Sequence, residues 1–213
     1  METMDLKSKL ENLGLTYIYD YVMEHNPSKG LPYHSNYHLE QVTKFALIGS
    51  EYYKFPIPNQ RLVAVAALFH DFDHSGSGKE DNINIMRACK GFIDFNNFEN
   101  KEKFEDEEEM TILNMIKETR FPYLKDGSGL NIMEQVLRDS DILQGVFSED
   151  YINRIVLGIA QEANLTPEKM LAGQAGFLNS AKFCTEWATE LYKVGLPSAL
   201  EKVEKAKLEY DKV

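Results

Sequence analysis

The stretch ALFHDFDHSGSG, Ala67 to Gly78, decides how this chain is read. It closes an apolar segment, Arg61–Phe72, that is rich in alanine and longer than a typical strand. Such a run predicts a helix buried nearly all round rather than a buried strand. At its end come His70, Asp71, Asp73 and His74 within five positions, then a Gly/Ser loop. Packing alone does not call for two imidazoles and two carboxylates at the end of a core helix, because buried polar groups are costly unless partnered. A metal ion would partner them.

Working outward, PYHSNYHLEQV (32–42) carries a second pair, His34 and His38. They are four apart. With a helix beginning near Ser35, they stack on one face about 5–6 Å apart at Cβ. One can then bind a metal while the other faces whatever the metal holds. His74 is four residues from His70 and can reach the same pocket. Four of the five histidines fall in these two pairs. The fifth, His25, lies near a predicted helix end and reads as surface decoration. LRDSDILQG (137–145) offers one more carboxylate on an apolar helix, Asp139 or Asp141, and periodicity does not choose between them.

The rest of the chain reads as helices joined by short breaks. Thr16 is the expected cap of a helix over 16–25, and a second helix spans about 35–53. Others follow from the loop SGSGKED to about Gly91, then over 106–119, 130–143 and 148–163. Thr166 caps a further helix with Pro167 at its first position. Two segments, 182–192 and 198–210, end the chain. No alternating strand pattern or repeat occurs. The expectation is an all-α, single-domain chain over 1–213, with a motif-bearing core at about 31–145 and C-terminal helices over 148–213.

Composition narrows the function. The chain has 213 residues and a net charge of −11, which argues against a nucleic-acid binder, since phosphate contacts need clustered Lys and Arg. No apolar run approaches the ~18 residues of a membrane span, and the amphipathic start METMDLKSKLENLG has no signal-peptide core. The expectation is a soluble, cytoplasmic protein. Cys89 and Cys184 are expected to be reduced. The run Glu105–Glu109 reads as the acidic first turn of a helix rather than a metal site. GSGK lacks the spacing of a Walker motif. Lys79, Arg87 and Arg120 are candidates for steering a phosphate, though each also reads as an ordinary surface charge.

The order His38, then His70–Asp71, then a distant aspartate, in a helical chain of this size, resembles the HD superfamily of metal-dependent phosphohydrolases. Within it, PYHSNYHLEQV and ALFHDFDHSG look most like the cyclic-nucleotide phosphodiesterase branch, whose motifs run roughly YHNxxHxxDV and HDxDHxG. Small bacterial and phage HD hydrolases share parts of both. The likeness covers about 31–78 and, less closely, 139–143. It does not extend past about Gln144, no glutamine-bearing base pocket is recognised, and Ser35 stands where that branch has Asn.

The resemblance implies that His38, His70 and Asp71 are metal ligands. The SDIL register makes Asp141 rather than Asp139 the fourth. It also implies that His34 gives a proton to the leaving oxygen, that Asp71 bridges to a second ion where one is bound, and that His74 holds water nearby. The cofactor is one or two divalent ions, Mn, Fe, Zn or Mg. The substrate is a small anionic phosphoester, in the first instance a nucleotide. Alternatives are an HD-type di-iron oxygenase cleaving a phosphonate and a non-catalytic nucleotide-binding sensor. The oxygenase and HD-GYP branches carry further histidines before the last aspartate. This chain has none after His74.

Overall fold

The computed structural model describes residues 4–76, 81–123 and 127–210. In chain order the helices are α1 (Leu6–Asn12), α2 (Thr16–His25), α3 (Asn36–Tyr52), α4 (Ile57–Phe69), α5 (Asp81–Asp94), α6 (Asp106–Glu118), α7 (Ile132–Val146), α8 (Gly158–Glu162), α9 (Pro167–Ser180) and α10 (Glu186–Tyr210). Two π-helical segments, Phe95–Glu99 and Tyr151–Leu157, extend α5 and lead into α8. No strand occurs among the described residues. The fold is all-α, as the sequence predicts.

Helix α4 is the axle. Every residue from Leu62 to Phe69 is buried, and α4 packs against α2, α3, α5, α6 and α7. Its alanines leave room for neighbours on all sides. The helix ends in the metal-type motif because the chain turns sharply there: Asp73 has φ +62°, a left-handed conformation that aspartate tolerates better than most residues.

Two apolar clusters share α3 and α7. Leu39, Val42, Val136 and Leu137 belong to the first, with α1, α2, α4 and α6. Phe45, Leu143 and Val146 belong to the second, with the Tyr151–Leu157 segment, α9 and α10. The helices meet closely at glycines. A Cβ on Gly49 would lie 2.8 Å from Val136 Cγ1, and one on Gly195 would lie 2.8 Å from Val146 Cγ2.

Several expected boundaries hold. Thr166 accepts the Lys169 N–H, with Pro167 at the first helical position. The acidic run opens α6, where Glu105 and Glu108 form a reciprocal cap. Cys89 and Cys184 are not joined in a disulfide. Three expectations change. Thr16 is the first residue of α2 rather than its cap, because Leu15 occupies the cap position and is wholly buried at the α1–α2 corner. The 148–163 segment is helical from Tyr151, but its first turns are π-helical. The two C-terminal segments are one helix, α10, running through Pro197. Its buried face, Ala188, Tyr192, Gly195, Ala199, Val203 and Ala206, keeps step across the proline. That continuous packing outweighs the hydrogen bond the proline removes. No described helix is long and apolar enough to cross a membrane.

Candidate metal centre

Three elements bring polar side chains together. The first turn of α3 presents His38, the end of α4 presents His70 and Asp71, and the middle of α7 presents Asp141. His38 Nε2 lies 3.2 Å from His70 Nε2, 3.1 Å from Asp71 Oδ2 and 3.2 Å from Asp141 Oδ1. His70 Nε2 lies 3.3 Å from Asp71 Oδ2 and 3.7 Å from Asp141 Oδ1. Both histidines are almost wholly buried.

This donor set fits a divalent cation. Bonds of about 2.0–2.2 Å at 90–109° place neighbouring donors ~3.0–3.5 Å apart. Most of the spacings above fall in that range. The His70 Nδ1 donates to the Ala67 carbonyl at 2.8 Å, so in the neutral ring the Nε2 lone pair is the one aimed at the cluster. The electrostatics agree. Burial pushes His38 and His70 down, but the facing carboxylates of Asp71 and Asp141 outweigh it and raise both. Burial likewise raises Asp71 and Asp141, yet the imidazoles beside them hold both below the usual carboxylate range.

The two aspartates of α7 part company. Asp139 turns away to the start of α10, where it accepts the backbone N–H of Cys184 at 2.9 Å, the N–H of Thr185 at 2.7 Å and the Thr185 hydroxyl at 2.7 Å. It holds Thr185, whose hydroxyl accepts the Ala188 N–H and so caps α10, and Asp141 is the α7 carboxylate that reaches the histidines.

A second cluster lies beside the first. His34, His74 and Glu162 hold donor atoms within 4.8 Å of one another. His34 Nδ1 is 2.5 Å from Glu162 Oε2. Glu162 Oε1 accepts the N–H groups of Tyr33 at 2.6 Å and His34 at 3.0 Å. The His34 and His74 rings stack at 3.5 Å between centroids. His74 therefore lies against His34 rather than in the His70–Asp71 cluster. Its Nδ1 accepts the Gly76 N–H, and burial pushes it down to about 4. Burial would raise Glu162, but the His34 hydrogen bond holds it low and ionised.

Both clusters open on one cleft of about 600 Å³. His34, Asp71, His74, Asp141 and Glu162 line one end. The other is mostly apolar, with Tyr151, Ile155, Met170 and Phe177 around Gln174. The Gln174 amide donates to the Tyr151 hydroxyl at 2.6 Å, which fixes its plane.

The sequence reading did not find Glu162 or Gln174. For Glu162 a signal exists: it is the only charged residue between Arg154 and Glu168. Gln174 shares the 3.6-residue register of the buried Leu171 and Leu178. Two of the three steering candidates are engaged elsewhere. Arg87 grips Asp73 with two hydrogen bonds, Arg120 donates to Asn82, and Lys79 lies outside the described residues. Among the described residues lining the cleft, the one Lys or Arg is Lys169. His25 is exposed and rests on Tyr21, away from both clusters.

No family model and no curated protein sequence match this chain. Among solved structures it is similar to LmjPDEB1 in complex with IBMX, at 14% identity and a TM-score of 0.54 over 97% of this chain and 83% of that one. At that identity the likeness is one of fold: the chain shares the helical architecture of a phosphodiesterase.

Proposed function

We propose that this protein is a metal-dependent phosphohydrolase of the HD type, acting on a phosphoester in a nucleotide. The observation that carries the reading is the convergence of two imidazole Nε2 atoms and two carboxylates on the floor of a cleft, beside a separately held histidine. The phosphodiesterase-like fold supports it.

In this reading His38, His70, Asp71 and Asp141 hold a divalent cation, with Asp71 able to face a second ion. When bound, the metal supplies charge neutralisation and a lowered pKa for water. Imidazole and carboxylate donors suit Mn, Fe, Zn or Mg. His34 is the proton donor to the leaving oxygen. Its Nδ1 is taken up by Glu162, which leaves Nε2 for the substrate. Glu162 in turn is held by two backbone N–H groups. That occupation favours a role in orienting His34 over a second metal site at His34, His74 and Glu162. His74, kept neutral by burial, supports the His34 ring by stacking and lines the cleft beside it.

The apolar end of the cleft takes the organic part of the substrate. Phe177 and Ile155 offer it apolar surface, and the Gln174 amide, held by Tyr151, reads its polar edge. This favours a nucleotide over a simple sugar phosphate. We also propose that residues 1–213 work as one domain, because both apolar clusters share α3 and α7 and the cleft takes residues from each. We propose a cytoplasmic location.

The test is a panel of cyclic, mono- and triphosphate nucleotides assayed with Mn²⁺, Mg²⁺ and Zn²⁺ for phosphate and nucleoside release. Metal-dependent turnover of at least one is expected. Metal binding with no turnover of any would favour a nucleotide sensor.

A further inference from the structure

Asn26, at the end of α2, is wholly buried and has every hydrogen-bonding group engaged. Its backbone N–H closes α2 on Val22, and its carbonyl accepts the Lys29 N–H. The side chain reaches two ways. Oδ1 accepts the N–H of Ser28 at 3.2 Å, the Ser28 hydroxyl at 2.9 Å and the N–H of Asp73 at 3.0 Å. Nδ2 donates to Asn36 Oδ1 at 3.0 Å, and Asn36 is itself tied to the Met23 carbonyl at 2.8 Å.

These partners are the supports of the two histidine-bearing segments. Asn36 is the first residue of α3 and stands between His34 and His38. Asp73 stands between Asp71 and His74, at the left-handed φ of +62° that makes the turn. On its other side, Asp73 is gripped by Arg87 at 2.7 and 2.9 Å. The turn is thus clamped between a buried amide and a guanidinium. Ser28, itself held by Asn26, reaches the Asp71 carbonyl at 3.4 Å.

We infer that Asn26 is a positioning residue for the metal centre: its side chain pins the α3 histidine segment to the Asp71–His74 turn and so sets the separation between His38 and the His70–Asp71 pair. This rests on the metal-centre reading above. The chemistry asks for a carboxamide. One face must accept three donors while the other donates to a fixed oxygen. Alanine would leave the Asp73 N–H and the buried Ser28 N–H without their acceptor, and the strained turn would relax. A ligand set is sensitive to such support: removing a group that orients ligands typically costs 10–100-fold in metal affinity.

The test is Mn²⁺ titration of the full chain by calorimetry, with thermal melting alongside. Three variants are compared with wild type: Asn26→Ala, Asn36→Ala and Thr185→Val. Thr185→Val breaks the buried contact with Asp139 at the start of α10, away from the cluster, and serves as the control for lost stability alone. The expected result is a fall in Mn²⁺ affinity of about tenfold or more for Asn26→Ala, with Thr185→Val close to wild type despite a lowered Tm. Should Asn26→Ala not fold, Asn36→Ala carries the test from the other end of the same bond, with about threefold or greater loss expected. Wild-type affinity in the folded Asn variants, or an equal loss in Thr185→Val, would overturn the inference. Failure of wild type to bind Mn²⁺, Zn²⁺ or Fe²⁺ would instead overturn the metal-centre reading and take the inference with it.

Discussion

The His34 Nδ1 and Glu162 Oε2 atoms lie 2.5 Å apart, joining the start of the α3 segment to the last residue of α8 across 128 positions of sequence. The Glu162 side chain is 4% exposed, and His34 is 21% exposed. The carboxylate is therefore locked, and the imidazole still opens on the cleft.

That pairing predicts a graded pair of mutants. His34→Asn should keep metal and fold while lowering kcat by ~10²–10⁴, the range for a positioned acid. Glu162→Gln keeps the shape but not the charge, and should lower kcat by a smaller factor. Both losses should be larger for an alkyl phosphoester than for a nitrophenyl one, whose leaving group departs without a proton. Equal deficits on the two substrates would make the dyad structural.

The two aspartates of α7 should separate metal binding from stability. Asp139→Asn weakens the cap of α10 and should cost about 1–3 kcal/mol, as for a lost charged hydrogen bond, with metal content unchanged. Asp141→Asn should lose metal and activity. Elemental analysis and thermal melting of both variants check this, and reversed outcomes would shift the ligand register by two.

If His38 and His70 hold a cation, proton and cation compete for the same imidazoles. His38 and His70 are raised above the ordinary value of 6.5 in the metal-free protein. Their contribution to metal-free stability is therefore full below pH 6.5 and lost as pH rises through the raised values. A bound cation replaces those protons. The increase in Tm on adding Mn²⁺ should thus grow as pH rises from about 6 to 8.5. A constant increase across that range would show that these imidazoles are not the sites of competition.

Gln174 should govern substrate choice without touching metal. Gln174→Leu should leave Mn²⁺ affinity unchanged and lower kcat/KM for a nucleotide about tenfold, the size of one lost hydrogen bond of ~1–1.5 kcal/mol. A nitrophenyl phosphodiester, with no base edge to read, should be hydrolysed as before. An equal loss on both substrates would assign Gln174 to holding the cleft wall.

The helical class and the buried axis were legible because periodicity and alanine content report burial directly, as in Arg61–Phe72. The pairing of His34 with His38 and of His70 with Asp71 was legible because short spacings on helix ends fix geometry locally. Glu162 was not, since its partner is brought by the return of a distant helix, and spacing along the chain carries no record of that contact. The split between Asp139 and Asp141 lay beyond periodicity for the same reason. Two residues apart on α7, they are sorted by what packs against each, the start of α10 for one and the α3–α4 ends for the other. The continuous α10 was hidden by Pro197, whose local cost is outweighed by packing that only the folded chain supplies.

The central claim is that His38, His70, Asp71 and Asp141 form a metal centre. Elemental analysis of wild type and Asp71→Ala, each purified without chelator and then reloaded with Mn²⁺, tests it most directly. About one or two equivalents of transition metal in wild type and a large loss in Asp71→Ala, with helical content preserved, is the predicted result. Equal metal content in the two proteins, at any level, would contradict it.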